Sequence, residues 1–228
     1  MGATLREVVF DIGGGVPAGR QLKAVQTGGP AGGVIPADMI DLEVDFDTLG
    51  KVGSIMGSGG MIVMDEDDCM VDIARYFLAF TQAESCGKCT FCRVGSRRML
   101  ETLERITAGE GQKGDIESLQ HLAANVAAGS LCGLGQTAPN PVLTTVRYFR
   151  DEYLEHIEQK RCRAGKCKAL LTYRIDPETC VGCTLCRKAC PVDAVAGEPK
   201  LVHSIDGQKC VKCGRCFDAC KFGAVVVE

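Results

Sequence analysis

The sequence predicts an α+β fold that is divided into several small modules. Residues 1–66 carry short strand-like runs separated by glycine-rich turns, 67–158 carry amphipathic helical patterns, and 172–228 carry a repeated cysteine pattern. A basic segment, 159–171, is interpreted as a linker between the last two modules. With 228 residues and a hydrophobic fraction of 46%, the chain has enough apolar material for more than one packed core.

The first module is predicted to begin with a helix and continue in strands. Leu5, Val8, Val9 and Ile12 recur with helical spacing, and Thr4 with Glu7 has the spacing of a capping box. The runs 23–26, 42–46 and 61–64 are predicted as strands. The glycine-rich segments 28–33 and 57–60 fit neither of the common phosphate-binding motifs, so turns and close backbone packing are favoured over nucleotide binding.

Four amphipathic helices are predicted in the second module. The first is capped by Asp67 or Asp68, and the second carries Met99 to Ile106 on its apolar face. The third runs 115–129, and the fourth begins at Asn140 as the N-cap and continues through 157. Short connections favour an antiparallel four-helix bundle. His121 and Tyr148 are interpreted as packing or surface residues rather than as ligands.

Eight of the fifteen cysteines form two copies of one pattern, 30 residues apart. Three thiolates at two-residue gaps can surround one corner of an iron–sulfur cube, and the fourth ligates the other cluster, as in bacterial two-cluster ferredoxins. Zinc sites more often use separated cysteine pairs, and a disulfide framework does not require identical spacing twice. The predicted four-iron ligand sets are Cys180, Cys183, Cys186 and Cys220, and Cys190, Cys210, Cys213 and Cys216.

A third cluster is predicted in the helical module. Cys86, Cys89 and Cys92 form another trio at the same spacing, between the first and second predicted helices. Cys132 lies between the third and fourth helices, at the same end of an antiparallel bundle, and is therefore the predicted fourth ligand. The alternative interpretation, buried cysteines with no cofactor, does not explain the spacing.

Three cysteines remain, and they suggest a zinc site. Cys162 and Cys167 are separated by a short glycine-containing turn among basic residues, which lower thiol pKa values. His156 and Cys69 are the further candidate ligands, which would complete a tetrahedral set of three thiolates and one imidazole. The open alternatives are three spare buried thiols and a solvated basic linker.

Composition restricts the location and the partners. The formal net charge of −3 shows no basic excess for nucleic acid, and no apolar run is long enough for a membrane helix. Metal-type cysteine spacing requires reduced thiols, which predicts a cytoplasmic location.

The cysteine motifs also resemble a known family. The segment 84–95, which contains Cys86, Cys89 and Cys92, resembles the cluster motif of the NADH-binding flavoprotein subunit of complex I, with Phe91 where that family usually has Pro. The segment 130–135, around Cys132, resembles its distant fourth ligand, and 4–17 with 26–30 resembles its ubiquitin-like β-grasp module. The added two-cluster tail is similar to the β subunits of NAD(P)-linked, often electron-bifurcating, iron-only hydrogenases.

This resemblance implies the function. The expected role is to pass single electrons between a flavin and the clusters of partner subunits, which include a catalytic subunit and a small ferredoxin-like subunit. The two clusters of the tail are expected to be either the outlet to these subunits or a separate branch towards soluble ferredoxin. Only part of the β-grasp module is expected here, and FMN and NAD(P) are expected to bind outside these residues, so no catalytic residue is predicted. One alternative is a subunit of a complex I-type or formate dehydrogenase, but the two-cluster tail argues against it. The other alternative is a free-standing ferredoxin-like carrier, but the partial β-grasp module argues against that one.

Overall fold

The computed structural model describes residues 2–227 and has the mixed α+β content that the sequence predicts, with 44% helix and 12% strand. The chain separates into two compact units, the first ending at Lys166 and the second beginning at Cys167. This boundary falls within the predicted linker, 159–171. Within residues 2–227, no helix combines the length and apolar character needed to cross a membrane.

The first unit opens with a helical segment that contains a capping box. The Thr4 backbone N–H donates to the Glu7 carboxylate over 2.7 Å, and the Glu7 N–H donates to the Thr4 hydroxyl over 3.2 Å. Leu5 and Val9 are buried as predicted, but Ile12 is 79% exposed. Glu7–Ile12 is a π-helix, so its wider turn takes Ile12 off the buried face that an α-helical period predicts.

A three-stranded antiparallel sheet forms the β part of this unit. Its strands are β1 (Leu22–Thr27), β2 (Val34–Pro36) and β3 (Met61–Asp65), in the order β2-β1-β3. The strands predicted over 23–26 and 61–64 are therefore present. The β2 strand was not predicted because three residues are too few to show a period. Gly32 permits the turn before it, since a Cβ there would lie 1.6 Å from the Thr27 carbonyl oxygen.

The strand predicted over 42–46 is wrong. Asp45 instead caps the helix α1 (Phe46–Lys51), and its carboxylate accepts the Thr48 N–H over 2.8 Å. An aspartate in this position satisfies a helix N-terminus, which outweighs the weak strand propensity of the preceding residues. Within this segment, Glu43 forms an isolated antiparallel bridge with Thr4.

Three predicted helices have the expected apolar faces. They are α2 (Met70–Ala83), α3 (Ser96–Thr107) and α4 (Asp115–Gly129). The predicted cap of α2 is wrong, because Cys69 occupies the N-cap position and the Asp68 carboxylate accepts the Asp65 N–H instead. A short helix, α5 (Gly133–Thr137), follows with Cys132 at its N-cap.

The fourth predicted helix is interrupted. It consists of α6 (Asn140–Tyr148), α7 (Arg150–Leu154) and a π-helical turn, Glu155–Gln159. The chain leaves helical geometry at Phe149, whose side chain packs on the cluster of Ala24, Val34, Met64 and Met70. Asn140 lies inside α6 and donates to the Ala31 carbonyl, so it is not the N-cap.

The second unit is built from two equivalent halves. Strand β4 (Tyr173–Ile175) pairs with β7 (Val225–Val227), and β5 (Val195–Ala196) pairs with β6 (Ser204–Ile205), so each ribbon joins one strand from each half. The helices α8 (Leu185–Ala189) and α9 (Arg215–Asp218) are also 30 residues apart. This exchange of strands places the cysteine motifs of both halves around one core.

Candidate functional site

Two cavities of the second unit are each lined by four cysteines. The first is lined by Cys180, Cys183, Cys186 and Cys220, and the second by Cys190, Cys210, Cys213 and Cys216. These are the two sets that the sequence assigns to separate clusters, with one cysteine of each set coming from the other half. Four thiol groups around a space closed by apolar side chains form a donor set suited to a four-iron cluster.

The two halves of the second unit repeat not only the cysteine motif but also the backbone conformation around it. Positive φ angles occur at Gly182 and Lys212, at Thr184 and Gly214, and at Asp193 and Gly223, each pair 30 residues apart. The Thr184 and Gly214 positions immediately precede α8 and α9, so they set the bend between the cysteine loop and the helix. The two cysteine loops therefore share one backbone design.

The pKa values of these thiols are shifted in different directions by their surroundings. Burial raises the pKa of Cys186 and, in the other half, of Cys216. Burial alone would also raise the pKa of Cys220, but backbone N–H groups that begin with that of Phe222 outweigh it and lower the pKa. Such N–H groups favour the thiolate, which is the form that binds iron.

The cysteines of the helical module lie near the surface, between helices. Cys92 is buried in the π-helical turn Phe91–Gly95, whereas Cys86 and Cys132 are exposed. The Ser85 hydroxyl lies 3.2 Å from the Cys92 Sγ. Gly135 brings α5 close to this site, because a Cβ there would lie 3.2 Å from the Cys92 Cβ. The elements that carry Cys92 and Cys132 are therefore neighbours, as the bundle argument expects.

Three of the residues predicted for zinc form a compact group in the first unit. The ligand atoms of Cys69, His156 and Cys162 lie within 4.8 Å of one another, and all three residues are buried. The fourth candidate, Cys167, is the first residue of the second unit and is also buried. The Cys69 Sγ is 3.3 Å from the His156 Nε2. In a tetrahedron with Zn–S near 2.3 Å and Zn–N near 2.0 Å, ligand atoms are separated by roughly 3.5 to 3.8 Å.

His156 is oriented by its backbone neighbour. Its Nδ1 lies 2.7 Å from the Glu152 carbonyl oxygen, which only accepts, so Nδ1 carries the proton and Nε2 faces Cys69. Burial alone would lower the pKa of His156, but the Cys162 and Cys69 thiols raise it to about 10. A metal ligand imidazole commonly has this second-nitrogen contact.

Sequence reasoning missed Glu152, which lies beside this group. Its carboxylate is almost fully buried, forms an ion pair with Lys23 over 2.8 Å and accepts the Met70 N–H over 3.1 Å. A glutamate on a helical stripe looks like a solvated residue. The only sequence signal was its spacing, four residues before His156 on the same helical stretch.

Cysteines arranged in sets of four around two cavities are typical of an iron–sulfur protein. The comparisons agree: residues 72–156 match the family described as NADH-ubiquinone oxidoreductase-F iron-sulfur binding region, and 172–221 match the 4Fe-4S dicluster domain. The chain therefore contains a region that matches the iron–sulfur binding region of the complex I type, followed by a region that matches a 4Fe-4S dicluster domain.

Among curated relatives, the chain is 54% identical over 203 residues to the NADP-reducing hydrogenase subunit HndC of Solidesulfovibrio fructosivorans, covering 89% of this chain and 41% of that protein. It is 42% identical over 162 residues to the F 2 subunit of the NADH-quinone oxidoreductase of Rhizobium meliloti (strain 1021), covering 71% of this chain and 38% of that protein. The chain thus spans about two fifths of the length of these relatives.

A solved structure has a similar fold. The crystal structure of an NAD+-reducing [NiFe]-hydrogenase in the H2-reduced state matches with a TM-score of 0.61 and 31% identity, covering 69% of this chain and 26% of that one. These findings confirm the predicted resemblance to complex I flavoprotein subunits and to subunits of NAD(P)-linked hydrogenases.

Proposed function

We propose that this chain is the iron–sulfur electron-transfer portion of a multi-subunit NAD(P)-dependent hydrogenase. The observation that carries the proposal is the pair of four-cysteine cavities, in a chain 54% identical to a subunit of an NADP-reducing hydrogenase. Four-iron clusters, when bound, supply one-electron redox chemistry. The role of the residues is to hold the clusters, shield them from water and adjust their potentials.

Three clusters follow from the cysteine sets. We assign one to Cys86, Cys89, Cys92 and Cys132 and two to the second unit. The family resemblance supports a partial β-grasp module, a four-helix iron–sulfur module and a two-cluster ferredoxin module. It also supports a flavin as the redox neighbour of the first cluster. Electron bifurcation, FMN and NAD(P) would belong to the whole enzyme.

A second candidate function is a subunit of another NADH-linked dehydrogenase. The 42% identity to a subunit of the NADH-quinone oxidoreductase of Rhizobium meliloti favours it. The dicluster region at 172–221 favours the hydrogenase, because the sequence resemblance associates such a tail with hydrogenase β subunits rather than with complex I. The additional ferredoxin clusters would then connect to partner subunits in the cytoplasm.

Iron content tests the cluster assignment. Protein reconstituted without oxygen is expected to hold about 12 iron and 12 sulfide per chain, as three four-iron clusters contain. It should accept electrons from dithionite, which low-temperature EPR of the reduced protein detects. Protein that saturates near eight iron per chain would show that one of the three assigned clusters is not bound.

The enzyme context needs a separate experiment. A tagged chain isolated without oxygen from its native cells is expected to copurify with a catalytic hydrogenase subunit and with hydrogen-dependent reduction of NAD(P). Replacement of Cys213 by Ser should abolish that electron path while the other subunits still copurify. A complex that oxidises NADH but has no hydrogenase subunit would instead establish the dehydrogenase alternative.

We also propose a zinc ion at Cys69, His156 and Cys162, with Cys167 as the fourth ligand. The support is the convergence of three buried ligand atoms of the first unit within 4.8 Å and the fixed orientation of His156. Three thiolates and an imidazole satisfy a closed, four-coordinate structural site.

Metal analysis of freshly isolated protein tests the zinc assignment. One zinc per chain is expected in the wild type and a loss of that zinc in Cys162→Ser, with iron unchanged. The matched control is Cys213→Ser, which should lose iron and keep zinc. Absence of zinc from fully iron-loaded wild-type protein would disprove the site.

A further inference from the structure

The two cysteine cavities of the second unit have almost identical linings. Residues 30 positions apart, in either direction along the chain, occupy equivalent places in the two cavities, and Ile175, Val181, Ala224 and Val225 of the first cavity correspond to residues of the same type in the second. Two pairs differ. Phe222 corresponds to Val192, which is a change of size, and His203 corresponds to Tyr173, which is a change of chemistry.

The exchange of strands explains why residue 203 faces the first cavity. His203 directly precedes β6 in the second half, yet it lines the cavity of Cys180, Cys183 and Cys186, whereas Tyr173 lines the cavity of the other trio. Each half therefore contributes one side chain to the cluster site of the other. At equivalent positions, one site receives an imidazole and the other a phenol.

The His203 ring is held in place. It is 2% exposed and its Nδ1 lies 3.0 Å from the Leu201 carbonyl oxygen. Gly197 provides the space, since a Cβ there would lie 2.6 Å from the ring. The preceding loop is tied to the cysteine loop, because the Lys200 N–H donates to the Gly182 carbonyl over 3.0 Å.

The other ring nitrogen has no protein partner. His203 Nε2 is buried and makes no hydrogen bond to any atom of residues 2–227. It is one of three buried side-chain atoms of these residues that have no hydrogen-bond partner. A buried polar atom without a partner is costly, so it indicates a partner that is not protein. The sulfurs of a cluster held by the same cavity would be acceptors within this space.

We propose that His203 donates a hydrogen bond from Nε2 to a sulfur of the cluster held by Cys180, Cys183, Cys186 and Cys220, and thereby gives that cluster a higher reduction potential than the cluster of the other half. The proposal rests on the cluster assignment made above. A hydrogen-bond donor at this position stabilises the reduced, more negative cluster. His203 is thus a positioning and tuning residue, not a ligand.

Redox titration monitored by EPR tests the proposal. Replacement of His203 by Leu is expected to lower the potential of one cluster of the second unit and to leave the other unchanged. His203→Gln, which keeps an N–H near the same position, should restore much of the shift. The matched control is His121→Leu, which removes an exposed histidine of the first unit and should change no potential.

Isotope labelling assigns the contact without any substitution. With ¹⁵N-histidine, the more easily reduced cluster of the second unit is expected to show a ¹⁵N coupling by electron–nuclear double resonance, lost in His203→Leu. No coupling in wild type, or unchanged potentials in a fully iron-loaded His203→Leu, would overturn the proposal. If His203→Leu loses its iron, the test rests on the wild-type protein alone: a ¹⁵N coupling supports the proposal, and its absence overturns the proposal. Failure of wild type to bind iron at these cysteines would instead refute the cluster assignment.

Discussion

Glu152 and Lys23 form an ion pair of 2.8 Å in the interior of the first unit, between the helical stretch that carries His156 and strand β1. Their side chains are 2% and 14% exposed. The same carboxylate accepts the Met70 N–H at the start of α2, and the Glu152 carbonyl faces His156 Nδ1. One residue therefore links the sheet, the N-terminus of α2 and the proposed zinc group.

Replacement of Glu152 by Gln is expected to destabilise the protein strongly. The change keeps an acceptor for Met70 but leaves the Lys23 ammonium buried without its counter-charge, which typically costs about 3–5 kcal/mol. Thermal unfolding of the metal-loaded protein measures the effect. Glu117→Gln is the matched control, because its ion pair with Arg150 is exposed and should contribute little to stability. Equal effects of the two changes would show that the burial of Glu152 does not matter.

Gly135→Ala is expected to disturb the first cluster. A Cβ at 135 would lie 2.5 Å from the Ser130 Oγ and 3.2 Å from the Cys92 Cβ, so α5 must move away from the element that carries Cys92. Iron content should fall from about 12 toward eight per chain. Gly50→Ala provides the comparison, since a Cβ there meets nothing within 4 Å. Full iron loading of Gly135→Ala would contradict this prediction.

Cys132→Ala is expected to remove the cluster of the first unit and to spare the other two. About eight iron should remain, and the reduced protein should lose one EPR component. Thr137→Ala, a change at a half-buried position on the same short helix α5, should leave both measurements unchanged. An unaltered spectrum in Cys132→Ala would place the fourth ligand elsewhere.

Lys221→Pro is expected to lower the potential of the cluster that Cys220 ligates. The change removes a cation next to a ligand and introduces the residue that stands at the equivalent position, Pro191. A nearby positive charge stabilises the more negative, reduced cluster. Redox titration would show the downward shift, whereas Lys209→Gln, next to Cys210 of the other ligand set, should leave the potential of the Cys220 cluster unchanged. An upward shift of the potential in Lys221→Pro would contradict the prediction that the Lys221 charge raises the potential.

Local patterns in the sequence predicted much of this protein. The cysteine spacings predicted the ligand sets because three thiols in a short loop share one site whatever surrounds them. The bounds of α4 and the buried faces of α2 and α3 followed from periodicity, which depends on neighbours within two turns. The four zinc candidates were named from the spacing of Cys162 and Cys167 and from the positions of Cys69 and His156 along the chain, and that assignment stays a prediction.

Other features depended on contacts between distant parts of the chain. The break at Phe149 follows from packing against residues of the sheet, and Asp45 converted an expected strand into a helix start. Glu152 became a buried ion-pair partner through Lys23, which is 129 positions away in the printed sequence. His203 reached the first cavity because the halves exchange strands. Sequence alone therefore determined which residues are chemically able to bind metal, since that depends on side-chain type and local spacing. Tertiary structure decided which groups surround them, since burial and pairing arise only when distant segments pack together.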